Sequence, residues 1–390
     1  MKEQTRQAQL AYFAPVDEGG LAKYAVHQCA ALAERCSRTV FLGYRHMERE
    51  LRQYSPSTQF VPLRDQYQAV GKLGRAIAHI KTRRSEVSQL IDLINQEDLS
   101  HVVVGSYFEY FSPFWVRRLR ALNSLGIRFG TIVHDPIRDF RVGPKFWHDY
   151  CISTAYSFVD VAYVHGGTAL DYGRPKRSFL VKEIPHGPYP VPVPNKGSEL
   201  RAQVRSILGI PDAAPVLLAF GHIRDGKNLD LLIKSLVDVE NMHLLVVGRE
   251  QSIGQRSISF YQDLAVTHSV DKRCHWVNDF IPESDVYQYF IASDYLTLVY
   301  SADFRSASGV LNLASQFHLP VLASSGEGPL KKCVLEYDLG TFVKPDCLRS
   351  LIDGLRRTKD QGFSPRWDDY RTDHSWDSNA IGVLDTLFTK

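Results

Sequence analysis

No stretch of the 390-residue chain approaches the roughly 18 consecutive apolar residues that a membrane-crossing helix needs. The opening MKEQTRQAQLAYFAP lacks the apolar core of an export signal. Cysteine pairs are missing as well. Cys29, Cys36, Cys151, Cys274, Cys333 and Cys347 are scattered, with no Cys-x-x-Cys and no histidine nearby at metal spacing. A disulfide framework and a zinc site are therefore not expected, and the cysteines fit a reducing, cytoplasmic compartment. Excess charge is lacking too. With 46 Lys+Arg against 43 Asp+Glu, the net charge of +3 is too small for nucleic acid to be the main partner. Finally, there is no Ser-His-Asp order, no Walker loop and no Gly-x-Gly-x-x-Gly, which argues against covalent hydrolysis and a dinucleotide fingerprint.

What the chain does have is a repeating alternation of short apolar runs and helical patterns. In the first half the runs are Gln9–Ala14, Thr39–Leu42, His101–Val104, Arg128–Val133 and Val161–His165. A helical pattern, Leu21–Ala33, directly follows Gly19-Gly20. The Pro-rich passage IPHGPYPVPVPNKG, 184–197, cannot be helix interior and reads as a stiff connector. The alternation then restarts with strands at Val216–Phe220, His243–Val247, Cys274–Val277 and Tyr295–Val299, and helices at Asn228–Val237 and Asp285–Ala292. The end, His374–Lys390, reads as one more amphipathic helix. Such a rhythm at this length predicts two α/β domains, each a doubly wound parallel sheet, with ligands taken at the strand ends.

Four segments carry candidate chemistry. In YLTLVYSADFRSASGVLNLASQFHLPVLASS, 295–325, a small-residue turn between a strand and a helix gathers Ser306, Ser308, Gly309 and Val310 at a helix start. Unpaired amides there suit a diphosphate, although Ser and Gly at helix starts also serve as plain caps. In the turn Gly221–Lys227, the cations Arg224 and Lys227 are placed to neutralise a departing diphosphate without a metal; the same loop also reads as a solvated basic turn. His134 follows the strand Arg128–Val133, where an imidazole can meet a sugar hydroxyl and Asp135 can orient it, or where it is simply structural. Arg138, Arg141 and Lys145 add charge after it. Gly19-Gly20, after Asp17-Glu18, allows close approach of a ligand or forms an ordinary tight turn. His186-Gly187 reads as a hinge.

Two further stretches combine bulk with positive charge: Phe108–Leu122, with Arg117, Arg118 and Arg120, and Val70–Arg84, with Lys72, Arg75, Lys81, Arg83 and Arg84. Aromatic-basic faces of this kind suit an anionic bilayer, or else are solvated helices over a core.

On these residues the chain resembles the retaining, nucleotide-sugar-dependent glycosyltransferases of family 4, which have the GT-B fold of two Rossmann-like domains. GGLAKYAVHQCAALAER is similar to that family's glycine-rich loop and first helix, TIVHDP to the segment carrying its active-site histidine, and FGHIRDGKNLDLLIKSL to its diphosphate-binding turn. The final helix is similar to the one that crosses back to the first domain. The resemblance implies an acceptor-side domain over 1–190, a donor-side domain over 191–373 and a returning helix over 374–390. It also implies His134, Arg224 and Lys227 as catalytic residues, and Gly19, Gly20, His222, Arg305, Ser306, Ser308, Gly309 and Val310 as donor-binding residues. No metal or other cofactor is implied. The partners expected are a nucleotide-sugar donor and a glycan or lipid-linked acceptor, with peripheral contact at the inner membrane face.

Two departures from the family pattern stand out. His222 stands where typical members have an arginine, and Arg305 and Leu313 stand where they have a pair of glutamates, as in the Ser-x-Ser-Gly-Val-Leu variants of polysaccharide assembly. The departures keep open a sugar-nucleotide epimerase, a phosphorylase, or an inactive GT-B protein that binds a glycan or a partner enzyme.

Overall fold

The computed structural model describes residues 8–16, 19–134, 136, 143–166, 178–191, 197–251, 254–360 and 363–389. Asp17, Glu18, Asp135, Arg138 and Arg141 lie outside the described residues, as do residues 192–196 of the connector. The chain divides into two compact units, Met1–Gly187 with His374–Lys390, and Pro188–Asp373. Among the described residues no helix is long and apolar enough to cross a membrane.

The first unit is built on strands β1 (Gln9–Ala14), β2 (Arg38–Gly43), β3 (Gln59–Pro62), β4 (His101–Val104), β5 (Arg128–Val133), β6 (Val161–Val164) and β7 (Leu180–Glu183). They form a seven-stranded sheet in the order β3-β2-β1-β4-β5-β6-β7, parallel throughout. Runs such as HVVV and VAYV suit this position because a parallel strand covered on both faces has no polar side. The two faces then fill by alternation. Ala11, Phe13, Val40, Leu42, Val102 and Val104 pack in one layer, and Leu10, Tyr12, Ala14, Phe41 and Val103 in the other. The second layer is completed by the chain's own end, since the helix Trp376–Leu387 inserts Ala380, Val383, Leu384 and Leu387 into it.

The second unit repeats the plan with β8 (Val216–Phe220), β9 (His243–Val247), β10 (Cys274–Val277), β11 (Tyr295–Val299), β12 (Val321–Ser324) and β13 (Gly340–Phe342). This parallel sheet runs β10-β9-β8-β11-β12-β13. In it the chain order reverses between β8 and β11, which are adjacent. Loops leaving the carboxyl ends of two such strands diverge to opposite faces of the sheet and open a crevice between them.

One buried arginine fastens the base of that sheet. Arg205 is 1% exposed, and its guanidinium donates to the carbonyls of Ala292, Pro211, Asp212 and Ala214 and, at 2.7 Å, to Asp294. Asp294 in turn accepts from the Val216 amide at 2.8 Å, so one carboxylate ties the starts of β8 and β11 to the helix Gly197–Ile207. Removing the guanidinium from such a cluster leaves four backbone carbonyls without the donor that serves them and the Asp294 carboxylate with Arg201 as its remaining cation. Arg205→Ala is expected to lower the stability of this unit by about 3–5 kcal/mol in urea unfolding; a loss below about 1 kcal/mol would show that the cluster behaves as a surface ion pair.

Candidate functional site

The second unit's candidate site is built where β8 and β11 end side by side. Gly221 follows β8 with φ of 91°, a left-handed turn that a side chain resists. This reverses the chain so that Lys227, at the end of the short 3-10 turn Asp225–Lys227, folds back over the strand it came from. Its Nζ donates to the Phe220 carbonyl at 2.6 Å. The ammonium is thereby drawn down onto the strand end. Burial, with the nearby Arg224 guanidinium, lowers its pKa to about 7.

After β11, Tyr300 turns the second loop toward the same point. Its phenol lies 3.3 Å from the Ser308 hydroxyl, and burial raises its pKa. Gly221, Arg224, Lys227 and Tyr300 share the lining of one small cavity of about 20 Å³, together with Thr297, whose buried hydroxyl has no protein partner among the described residues. That volume is far below the roughly 300 Å³ of the smaller ligand pockets, so it is not a substrate pocket. A Cβ built on Gly221 would come within 3.7 Å of Val310, so the two loops touch at the start of the helix Gly309–Ala314.

The serines divide in use. Ser308 is buried and caps the helix, accepting from the Leu311 amide at 3.4 Å, so its hydroxyl faces inward. Ser306 is half-buried. What the turn presents outward is backbone, because Gly309 and Val310 occupy the first turn, where amides have no intrahelical acceptor. The helix is six residues long. His222 and Arg305 are exposed. Leu313, at the other departing position, packs against the apolar core. The backbone of Arg305 is held by Gly328, where a Cβ would lie 2.6 Å from the Arg305 carbonyl oxygen.

Sequence reasoning missed Asp346, which lies after β13. One oxygen accepts from Asn228 Nδ2 at 2.8 Å and the other from the Ala302 amide at 2.9 Å. A single carboxylate thus clamps the Lys227 turn to the loop that follows β11. No spacing motif links position 346 to 228 and 302, so the sequence carried no signal for it.

In the first unit, His134 Nε2 lies 3.0 Å from the Gly105 carbonyl, and since a carbonyl only accepts, Nε2 carries the proton. By the same reasoning His165 and His186 are protonated on Nδ1, against the Ile184 and Gly187 carbonyls. The three imidazoles surround Tyr24 at 4.7, 5.1 and 5.0 Å between ring centres. Burial lowers the pKa of His134 and His186 to about 4 and holds that of His165 well below the usual imidazole value, so all three are neutral near pH 7. Tyr24 is fixed in turn by Gln28 at 3.1 Å and by Asn379 of the last helix at 2.9 Å. His186, read as a hinge, belongs to this cluster, and His165, read only as the end of a strand, is part of it as well. Gly19 caps the helix Gly20–Ala33 with φ of 82°, and a Cβ on Gly19 or Gly20 would meet nothing within 4 Å. Lys145 pairs with Asp149 at 2.6 Å. Among the described residues no three His, Cys, Asp or Glu side chains converge as metal ligands.

No family model matches the chain, and no curated protein does. Solved structures match over nearly the whole length. A glycosyltransferase from Rickettsia africae ESF-5 aligns at 12% identity over 98% of both chains with a TM-score of 0.69. Sucrose-phosphate synthase from Thermosynechococcus elongatus aligns at 17% identity over 98% of this chain and 95% of that one, with a TM-score of 0.62. Alr3699/HepE of Anabaena, solved with UDP and glucose, aligns at 14% identity over 98% and 96%, with a TM-score of 0.61. The chain has the GT-B fold. At these identities the likeness establishes the fold alone.

Asp346→Ala is expected to release the Ala302 amide and loosen the 224–228 turn. Hydrogen exchange at Ala302 should accelerate by about tenfold or more while the β8 and β9 amides stay protected. Unchanged protection at Ala302 would mean that the clamp carries no load.

Proposed function

We propose that the chain is a retaining, family-4-like hexosyltransferase that moves a sugar from a nucleotide diphosphate sugar to a hydroxyl of a glycan or lipid-linked acceptor. The observation that carries this reading is the meeting of Arg224, Lys227, Tyr300 and the Gly309 helix start where β8 and β11 end side by side. A half-buried ammonium beside a guanidinium, with no carboxylate among the residues lining their shared cavity, is a place that favours an anion. The solution of Anabaena HepE with UDP and with UDP-glucose supports a nucleotide sugar as that anion. Sucrose-phosphate synthase among the structural matches supports transfer to a hydroxyl.

In this reading 191–373 is the donor side, 1–190 the acceptor side, and 374–390 the returning helix. Lys227 and Arg224 neutralise the charge that builds on the diphosphate as the glycosidic bond breaks. The amides near Ser308, Gly309 and Val310 hold the phosphates, with Ser306, His222 and Arg305 at the rim. His134 offers its unprotonated Nδ1 to a sugar hydroxyl, and Gly19-Gly20 admits phosphates or acceptor. With two side-chain cations in place, the leaving group needs no metal, so EDTA leaves turnover intact.

Lys227→Ala should cut turnover by about 10²-fold or more while donor affinity falls less, because the cation acts most strongly on charge that develops during reaction. Gly309→Val should fold with an unchanged melting temperature, since a Cβ there meets nothing within 4 Å of protein, yet lose nucleotide-sugar binding in calorimetry. Equal donor affinity in wild type and Gly309→Val would mean that the helix start is only a packed turn. Donor binding without release of nucleoside diphosphate in any acceptor mixture would favour a GT-B binding protein, in keeping with Leu313, packed against the core, at a position where the resembled family typically has a glutamate.

A further inference from the structure

Part of the exposed apolar bulk of the first unit gathers at the start of one long helix. Val70 is 98% exposed just ahead of the 26-residue helix Lys72–Glu97, and Leu73, 76% exposed, and Ile77, 46% exposed, share one stripe at its start. The same stripe continues one and two turns later with the exposed Lys81 and Arg84. At 1.5 Å per residue, those cations stand about 12 and 16 Å from Leu73 along the axis. Arg75 adds a third exposed charge, and no Asp or Glu occurs between Asp65 and Glu86. The helix therefore runs from a bare aliphatic tip to a basic shoulder.

An aromatic patch adjoins the tip. His79 lies 6.0 Å from Phe111, Phe111 lies 6.4 Å from Phe114 and 6.1 Å from Trp147, and Trp147 lies 6.0 Å from Tyr150, between ring centres. Phe114 is 47% exposed and Phe146 75%. Exposed Arg117 and Arg120 line a groove beside this patch. Acidic groups near it are engaged: Asp149 pairs with Lys145, and Glu109 accepts from the Tyr156 phenol.

We propose that this face of the first unit docks on an anionic lipid bilayer, with Val70, Leu73 and Ile77 entering the acyl boundary and Lys81, Arg84 and Arg117 at headgroup level. Aliphatic side chains on a projecting helix tip do not stack on sugars, and a protein partner would need a complementary concave surface. A fluid interface with negative headgroups accepts this shape and this order of charges directly. Docking is independent of sugar transfer, so it is read without donor or acceptor.

The test is flotation of the full chain with vesicles of phosphatidylcholine alone and of phosphatidylcholine mixed with phosphatidylglycerol. Binding is expected to the mixed vesicles only. Lys81→Ser/Arg84→Ser should weaken it by about 30-fold, from roughly 5-fold per cation near a charged surface. Leu73→Ser/Ile77→Ser should abolish retention at high salt; both double variants alter exposed positions, and unchanged melting temperatures confirm that they fold. Absence of binding to the mixed vesicles overturns the proposal. So does binding that both variants retain, or binding that soluble heparin matches and the apolar variant keeps, which would mark a glycan-binding face instead.

Discussion

An ammonium held against a strand-end carbonyl, at the point where β8 and β11 lie side by side, sets the terms for the second unit. Lys227 reaches Phe220 only because Gly221 turns in the left-handed region, and Gly248 from the β9 loop packs directly on the Gly221 backbone. The position removes much of the hydration of the cation and gives it a single carbonyl in return. A positive charge in that state is under-compensated, which is why its pKa falls toward neutrality. Any anion entering beside it finds stronger attraction than a solvated lysine offers. The clamp through Asp346 and the close packing of Gly328 on Arg305 keep the two loops in register around that charge.

The first unit is arranged on a different principle. Its imidazoles are kept neutral by burial, and each spends one nitrogen on a backbone carbonyl, so they contribute no charge. Their orientation depends on Tyr24, and through Gln28 and Asn379 on the helix at the far end of the chain. Truncation of that helix would therefore be felt at His134 as well as in the core. Exposed positive charge in this unit includes Arg75, Lys81 and Arg84 on the helix Lys72–Glu97.

The central strands were legible because burial on both faces leaves a plain apolar run. Gln9–Ala14, Arg128–Val133 and Val216–Phe220 were readable to the residue. The two edge strands of the first sheet were not. Leu180–Glu183 is exposed along its whole length and mixes Leu and Val with Lys and Glu, and Gln59–Pro62 ends on a proline, so neither shows the pattern. At the site, the sequence pointed to the right loops, but it could not show how their side chains fold. A lysine after a glycine turn reads as a projecting cation whether or not it bends back on its own strand. Ser308 reads alike as a phosphate ligand or as a cap. Asp346 and His165 gain their partners only through tertiary packing, across more than forty residues of sequence in the case of Asp346 and Ala302.

The state of Lys227 is the most direct test of this account. With a pKa near 7 in the unliganded protein, the side chain is mostly neutral at a pH about one unit higher, and a bound diphosphate should draw its proton back. Calorimetry of UDP binding at that pH, in buffers of differing ionisation enthalpy, should therefore report uptake close to one proton per molecule bound, with affinity falling as pH rises through 7. The uptake should vanish in Lys227→Met. Binding that takes up no proton, or the same uptake in wild type and Lys227→Met, would contradict the placement of the anion beside this ammonium.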